Sequence, residues 1–128
     1  MIIYAFDTGI STGIAEFNTN SKRCTLLTLD ADKVNLFIFG ASFNPDIVVL
    51  ERIPKSSKYE LMKIFKEVES RSKELKSYVI ITAPSQWKPV SKARGWKYSL
   101  GETIHERDAF MQLRYYMWSH HHHDIGDV

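Results

Sequence analysis

Four ionisable side chains are spaced so that folding could gather them. Six apolar residues, Met1 to Phe6, run into Asp7, which opens Asp7-Thr8-Gly9-Ile10-Ser11-Thr12-Gly13. A second short apolar run, Ile47 to Leu50, ends on Glu51. Near the C-terminus a helix-like segment begins Ile104-His105-Glu106-Arg107-Asp108-Ala109. An acid at the end of a buried strand costs solvation energy, so two of them call for compensation. Carboxylates crowded together repel unless cations neutralise them. Oxygen donors suit Mg²⁺ or Mn²⁺, and one imidazole is compatible with Mn²⁺ or with a role other than ligation. Two such ions about 4 Å apart can activate a water and stabilise the leaving oxygen in phosphodiester hydrolysis. His105 could instead position the water or move a proton.

Each residue also has a plainer reading. Asp7 could simply start the turn at Gly9. Glu51 could pair with Arg52 or a lysine. His105 and Asp108 could serve the first turn of their helix, where acids are favoured. The joint occurrence, in this order along the chain, favours a metal site made by Asp7, Glu51, His105 and Asp108.

Those residues need elements to carry them. Ile2 to Asp7 reads as a buried strand, and Gly9 and Gly13 bracket a tight turn before a second strand starting Ile14-Ala15-Glu16-Phe17. Asn18 to Lys22 is turn chemistry, and Cys24 to Leu29 fits a third strand. Asp30 is placed to cap a helix from Ala31 to Phe39. After the break at Asn44-Pro45-Asp46, Ile47 to Glu51 is apolar on consecutive residues, as a strand covered on both faces should be. Pro54 to Ser57 is a connector, and Lys58 to Lys76 carries a helical apolar stripe. Tyr78 to Thr82 is another buried strand. Trp87 to Ser99 is basic and aromatic, with Pro89 and Gly95 limiting regular structure, and Ile104 to Trp118 is the last helix. The order is βββαβαβα, which is that of the ribonuclease H-like fold: an α/β protein with a mixed five-stranded sheet flanked by helices. In such a sheet the first and fourth strands can be neighbours, which would bring Asp7 and Glu51 together. On the last helix His105, Asp108 and Gln112 share one face.

At 128 residues, the chain is expected to be one domain over 1–119 with a tail at 120–128. His120 to His123 reads as a purification tag or a flexible tail rather than part of a site. No apolar stretch is long enough to cross a bilayer, and the N-terminal run does not look like a signal peptide. Cys24 is the lone cysteine, which suits a reducing interior. The net charge of +2 conceals an asymmetry: from Glu51 to Lys97 there are twelve basic and five acidic residues, +7 in all, leaving −5 for the rest. A basic middle suits a polyanion. Between Lys63 and Lys76 the charges equally suit a solvated helix face. Between Lys88 and Lys97 no helical periodicity explains them. There Trp87, Trp96 and Tyr98 interleave with Lys88, Lys92, Arg94 and Lys97, a pattern for phosphate neutralisation and base stacking, or for a basic loop over packed tryptophans.

At these residues the chain resembles the RuvC-type Holliday junction resolvases, especially their compact viral versions. The matching features are Phe6-Asp7-Thr8-Gly9 with its turn, Val48-Val49-Leu50-Glu51, Pro84 followed by Lys88 and by Lys92-Ala93-Arg94-Gly95, and His105-Glu106-Arg107-Asp108-Ala109. The resemblance spans Ile2 to about Trp118. It implies a metal-binding and catalytic set of Asp7, Glu51, His105 and Asp108, with Mg²⁺ as cofactor and Mn²⁺ able to substitute. It also implies a DNA-facing set of Lys88 and its neighbours, and branched DNA (a four-way junction, fork or flap) as substrate. A homodimer is implied, since a four-way junction is nearly two-fold symmetric. A cytoplasmic location follows, the host cytoplasm for a viral member. The competing expectations are an RNA-processing nuclease of the same fold and a non-catalytic branched-DNA-binding module. The Asp-x-Gly-x-x-x-Gly opening also resembles the phosphate loop of actin-like ATPases, which need two lobes.

Overall fold

Strand β1 (Ile2–Asp7) pairs antiparallel with β2 (Ser11–Asn18), and β2 with β3 (Arg23–Asp30). Helix α1 (Ala31–Ile38) then leads to β4 (Ile47–Glu51), and α2 (Tyr59–Glu74) to β5 (Tyr78–Thr82). Helices α3 (Pro84–Ala93) and α4 (Ile104–His121) follow. This computed structural model describes residues 1–54, 58–97 and 101–126. Lys55 to Ser57 of the expected connector, and Tyr98, lie outside the described residues. The strand order is β3-β2-β1-β4-β5, with β4 parallel to both β1 and β5, so the sheet is mixed and five-stranded as expected.

Side chains alternate across a strand, and that alternation builds two cores. Tyr4, Phe6, Ile14, Val48 and Leu50 point to one face, where Val34 and Ile38 of α1 and Ile64 and Val68 of α2 cover them. Ile3, Ala5, Ala15, Phe17, Ile47 and Val49 point to the other, under Ala109, Phe110, Leu113, Tyr116 and Met117 of α4 and Trp87 of α3. Both faces of β1 and β4 are therefore covered, which is why those strands are apolar throughout.

Two expectations are corrected. The segment from Trp87 is not irregular: α3 runs Pro84–Ala93 and carries Lys88 and Lys92. Pro84 stands at the first helical position, where its missing N–H costs nothing. The Gln86 side chain accepts from the Ala83 N–H at 2.8 Å, satisfying the helix entry. Pro89 removes one internal bond, to the carbonyl of Ser85, whose residue is exposed to water. The second correction concerns the histidine run. His120 and His121 belong to α4, which ends at His122 in the left-handed conformation (φ 53°). The chain then turns back. Asp124 accepts two hydrogen bonds from Arg114, at 2.7 and 3.2 Å, and Ile125 is buried in the α4-side core. Asp124 and Ile125 thus dock against α4, while His120 to His123 stay exposed. No helix among the described residues is long and apolar enough to cross a membrane.

Candidate active site

The register that pairs Phe6 with Leu50 brings Asp7 level with Glu51 at the carboxyl ends of two adjacent strands. Parity decides their direction. Ile3 and Ala5 face α4, so Asp7 does too; Ile47 and Val49 face α4, and so does Glu51. In open α/β sheets this end of the strands is where ligands gather.

Helix α4 supplies the rest, and its position depends on Gly13. Gly13 lies opposite Asp7 in the β1–β2 ladder. A Cβ at Gly13 would stand 2.0 Å from the His105 carbonyl oxygen and 2.9 Å from the Glu106 nitrogen, so only glycine lets the helix start so close to the sheet. Thr103 caps this start, its hydroxyl accepting from the Glu106 N–H at 3.1 Å. The Glu106 carboxylate, buried, accepts from Thr28 of β3 at 2.7 Å. Anchored in this way, the helix sets His105 Nδ1 3.5 Å from Asp7 Oδ2, with Asp108 one turn further on.

The carboxyls feel one another. Asp7 and Glu51 lie side by side, each close enough to shift the other. Burial is the main reason Glu51 is pushed up to about 8, and the neighbouring Asp7 adds to it; Lys88 pulls the other way. Asp7 is raised by burial, against the relief that contact with Glu51 and the charge of Lys88 give it. Asp108 is raised by burial and by Glu51, and eased by Lys88 and His105. All three carboxyls are shifted upward, the direction expected of crowded, half-buried acids.

Among the described residues, no three His, Cys, Asp or Glu side chains close on one point as a formed metal centre requires. By kind and crowding, however, the donors suit a hard divalent cation: three half-buried carboxyls whose mutual repulsion a cation would relieve. The structure therefore brings together Asp7, Glu51, His105 and Asp108, and adds Lys88 from α3, close enough to lower all three carboxyls.

The aromatic half of the expected DNA surface does not hold. Trp87 is fully buried in the α4-side core, so it has no ring face to offer a base. Its indole N–H faces Glu51 and eases that carboxyl, though it makes no hydrogen bond of normal geometry. Trp96 is also buried, edge-on to Trp118 and under the Arg114 guanidinium at 4.5 Å. Lys88, Lys92, Arg94 and Lys97 are all exposed. Sequence reasoning gave no role to Gln112 or Thr82. Both are buried, and Gln112 reaches Glu51. The signal available was that Gln112 shares a helix face with His105 and Asp108.

No family model matches the chain, and no curated protein matches it either. Among solved structures, the chain is similar to Thermus thermophilus RuvC, with a TM-score of 0.63 at 16% identity, covering 91% of this chain and 95% of that one. Thermus thermophilus RuvC in complex with a Holliday junction substrate matches at a TM-score of 0.62 and 17% identity, over 91% and 94% of the two chains. Fowlpox virus resolvase in complex with its substrate Holliday junction DNA matches at 0.62 and 19% identity, over 88% and 97%. In strand order, mixed pairing and flanking helices, the chain has the ribonuclease H-like fold of these RuvC-type resolvases.

Proposed function

We propose that the protein is a divalent-metal-dependent endonuclease that cuts Holliday junctions or related branched DNA. The observation that carries this reading is the convergence of Asp7, Glu51, His105 and Asp108 at the carboxyl ends of β1 and β4. It occurs in a fold shared with two resolvases whose solved structures contain junction DNA.

Asp7 and Glu51 from the sheet, with Asp108 and His105 from α4, would hold Mg²⁺, with Mn²⁺ able to substitute. Bound ions supply water activation and charge neutralisation at the leaving oxygen. His105, beside Asp7 and part-exposed, is placed to take a proton from the attacking water or give one to the product. Lys88 sits by the carboxyls and can meet the scissile phosphate. Lys92, Arg94 and Lys97 continue the basic surface and neutralise neighbouring phosphates. A nearly two-fold junction suits a homodimer. Support for one is the groove of about 800 Å³ between α1 and α2, lined by Phe39, Tyr59 and Met62 and lying on the sheet face away from α4. A cytoplasmic setting, the host's if the chain is viral, rests on the lone Cys24.

The test is a gel assay with four-way, forked, flapped and linear DNA and a structured RNA, with and without Mg²⁺. Mg²⁺-dependent cutting of branched DNA over linear DNA is expected. Cutting of the RNA alone, or no cutting of any substrate, would overturn the reading.

A further inference from the structure

Gln112 is a polar side chain with no exposed surface, on the α4 face that also carries His105 and Asp108. For packing alone, Met or Leu would serve there at lower desolvation cost. A buried amide is kept at such a position when its partners need it. Its partners are the ends of two strands. Thr82, the last residue of β5, donates from its hydroxyl to Gln112 Oε1 at 3.3 Å. That bond orients the amide, so Nε2 faces the other way and donates to Glu51 Oε2 at 3.4 Å. The same hydroxyl lies 3.5 Å from the Leu50 carbonyl oxygen, the longer of the two distances open to its one proton. Glu51 and Thr82 are paired across the β4–β5 ladder, so the relay closes on itself: β5 end, helix, β4 end.

We propose that Gln112, oriented by Thr82, is a positioning residue that fixes the Glu51 carboxylate for cation binding. This rests on the reading of Glu51 as a metal ligand. Outer partners that orient a ligating carboxylate typically change metal affinity by about 10- to 100-fold when removed. The amide acts in two ways. It restricts Glu51 to one rotamer, and it occupies one carboxylate oxygen without adding a charge that would compete with the cation. A merely structural glutamine would affect thermal stability and leave ion affinity alone.

The experiment titrates Mn²⁺ into the purified full-length protein by calorimetry, for wild type, Glu51→Gln, Gln112→Met and Thr82→Val. Circular dichroism checks that each variant is folded. Gln112→Met is expected to weaken binding by about 10-fold, Glu51→Gln by more than that, and Thr82→Val by less but measurably. Should Gln112→Met not fold, Thr82→Val carries the test, because it leaves the glutamine in place and only frees its amide to turn. If Glu51→Gln loses affinity while the folded Gln112 and Thr82 variants bind as wild type does, the positioning role is wrong and the metal reading stands. If Glu51→Gln itself binds Mn²⁺ normally, the metal reading falls and this inference with it.

Discussion

Asp7 and Glu51 show how much a single side chain can be asked to tolerate. Both are turned toward α4 by strand parity, and Lys88, on an exposed stretch of α3, lowers both. Glu51 holds its proton up to about 8, mainly because it is buried and further because Asp7 is against it. In the unfolded chain the same group titrates near 4.5. The folded state therefore binds this proton more tightly. Its contribution to stability is complete below about pH 4.5 and is lost as the pH rises toward 8. Metal-free Glu51→Gln should escape that loss, melting about 5 °C above the wild type at pH 8 and close to it at pH 4. A melting difference that is the same at both pH values would mean that Glu51 is not strained in this way. The four ionisable residues were legible in the sequence because each ends or begins a recognisable element. The burial of Trp87 was not, since an indole among lysines looks the same in sequence whether it faces solvent or the core. Gln112 was visible on the right helix face, but its partner Thr82 is thirty residues away and comes beside it only through the β4–β5 pairing.

At the scale of elements, the decisive contact is between β2 and the first turn of α4. Gly13 admits the helix backbone, and Thr28, Thr103 and Glu106 fix it laterally. Adding one methyl group at Gly13 would drive it into backbone atoms of His105 and Glu106, which cannot swing aside as a flexible side chain would. Gly13→Ala is expected to destabilise the fold by about 3 kcal/mol, seen as a lower urea midpoint at unchanged slope. It should also abolish cleavage by moving His105 and Asp108 off the strand ends. A variant as stable and active as wild type would show that α4 is not held at this point. The strands and three of the helices could be read from periodicity and turn residues. Helix α3 could not. Pro89 and Gly95 read as breakers, whereas Pro84 in fact opens the helix, Pro89 gives up one bond on an exposed side, and Gly95 lies beyond the end in a left-handed turn.

For the molecule as a whole, the charge pattern marked residues that are exposed, while the tryptophans beside them are not. Lys92, Arg94 and Lys97 are exposed, while Trp87 belongs to the core and Trp96 packs under Arg114. The basic strip should therefore act on phosphates and not by stacking. Lys92→Ala is expected to weaken four-way junction binding and to reduce the slope of log affinity against log salt by about 1, measured by fluorescence anisotropy over a salt series. An unchanged slope would take Lys92 off the DNA surface. The contacts of Asp124 and Ile125 were not legible in the sequence because docking of a short polar segment is a tertiary event. Nothing local in His120 to Ile125 announces that Asp124 will find Arg114 or that Ile125 will be buried.

Crystals of the protein soaked in Mn²⁺ and measured at the manganese absorption edge test the central claim most directly. The expected result is anomalous density between Asp7 and Glu51, with Asp108 or His105 completing the ligand set. Soaked crystals with no anomalous peak at these carboxyls, or with manganese bound only elsewhere, would contradict it.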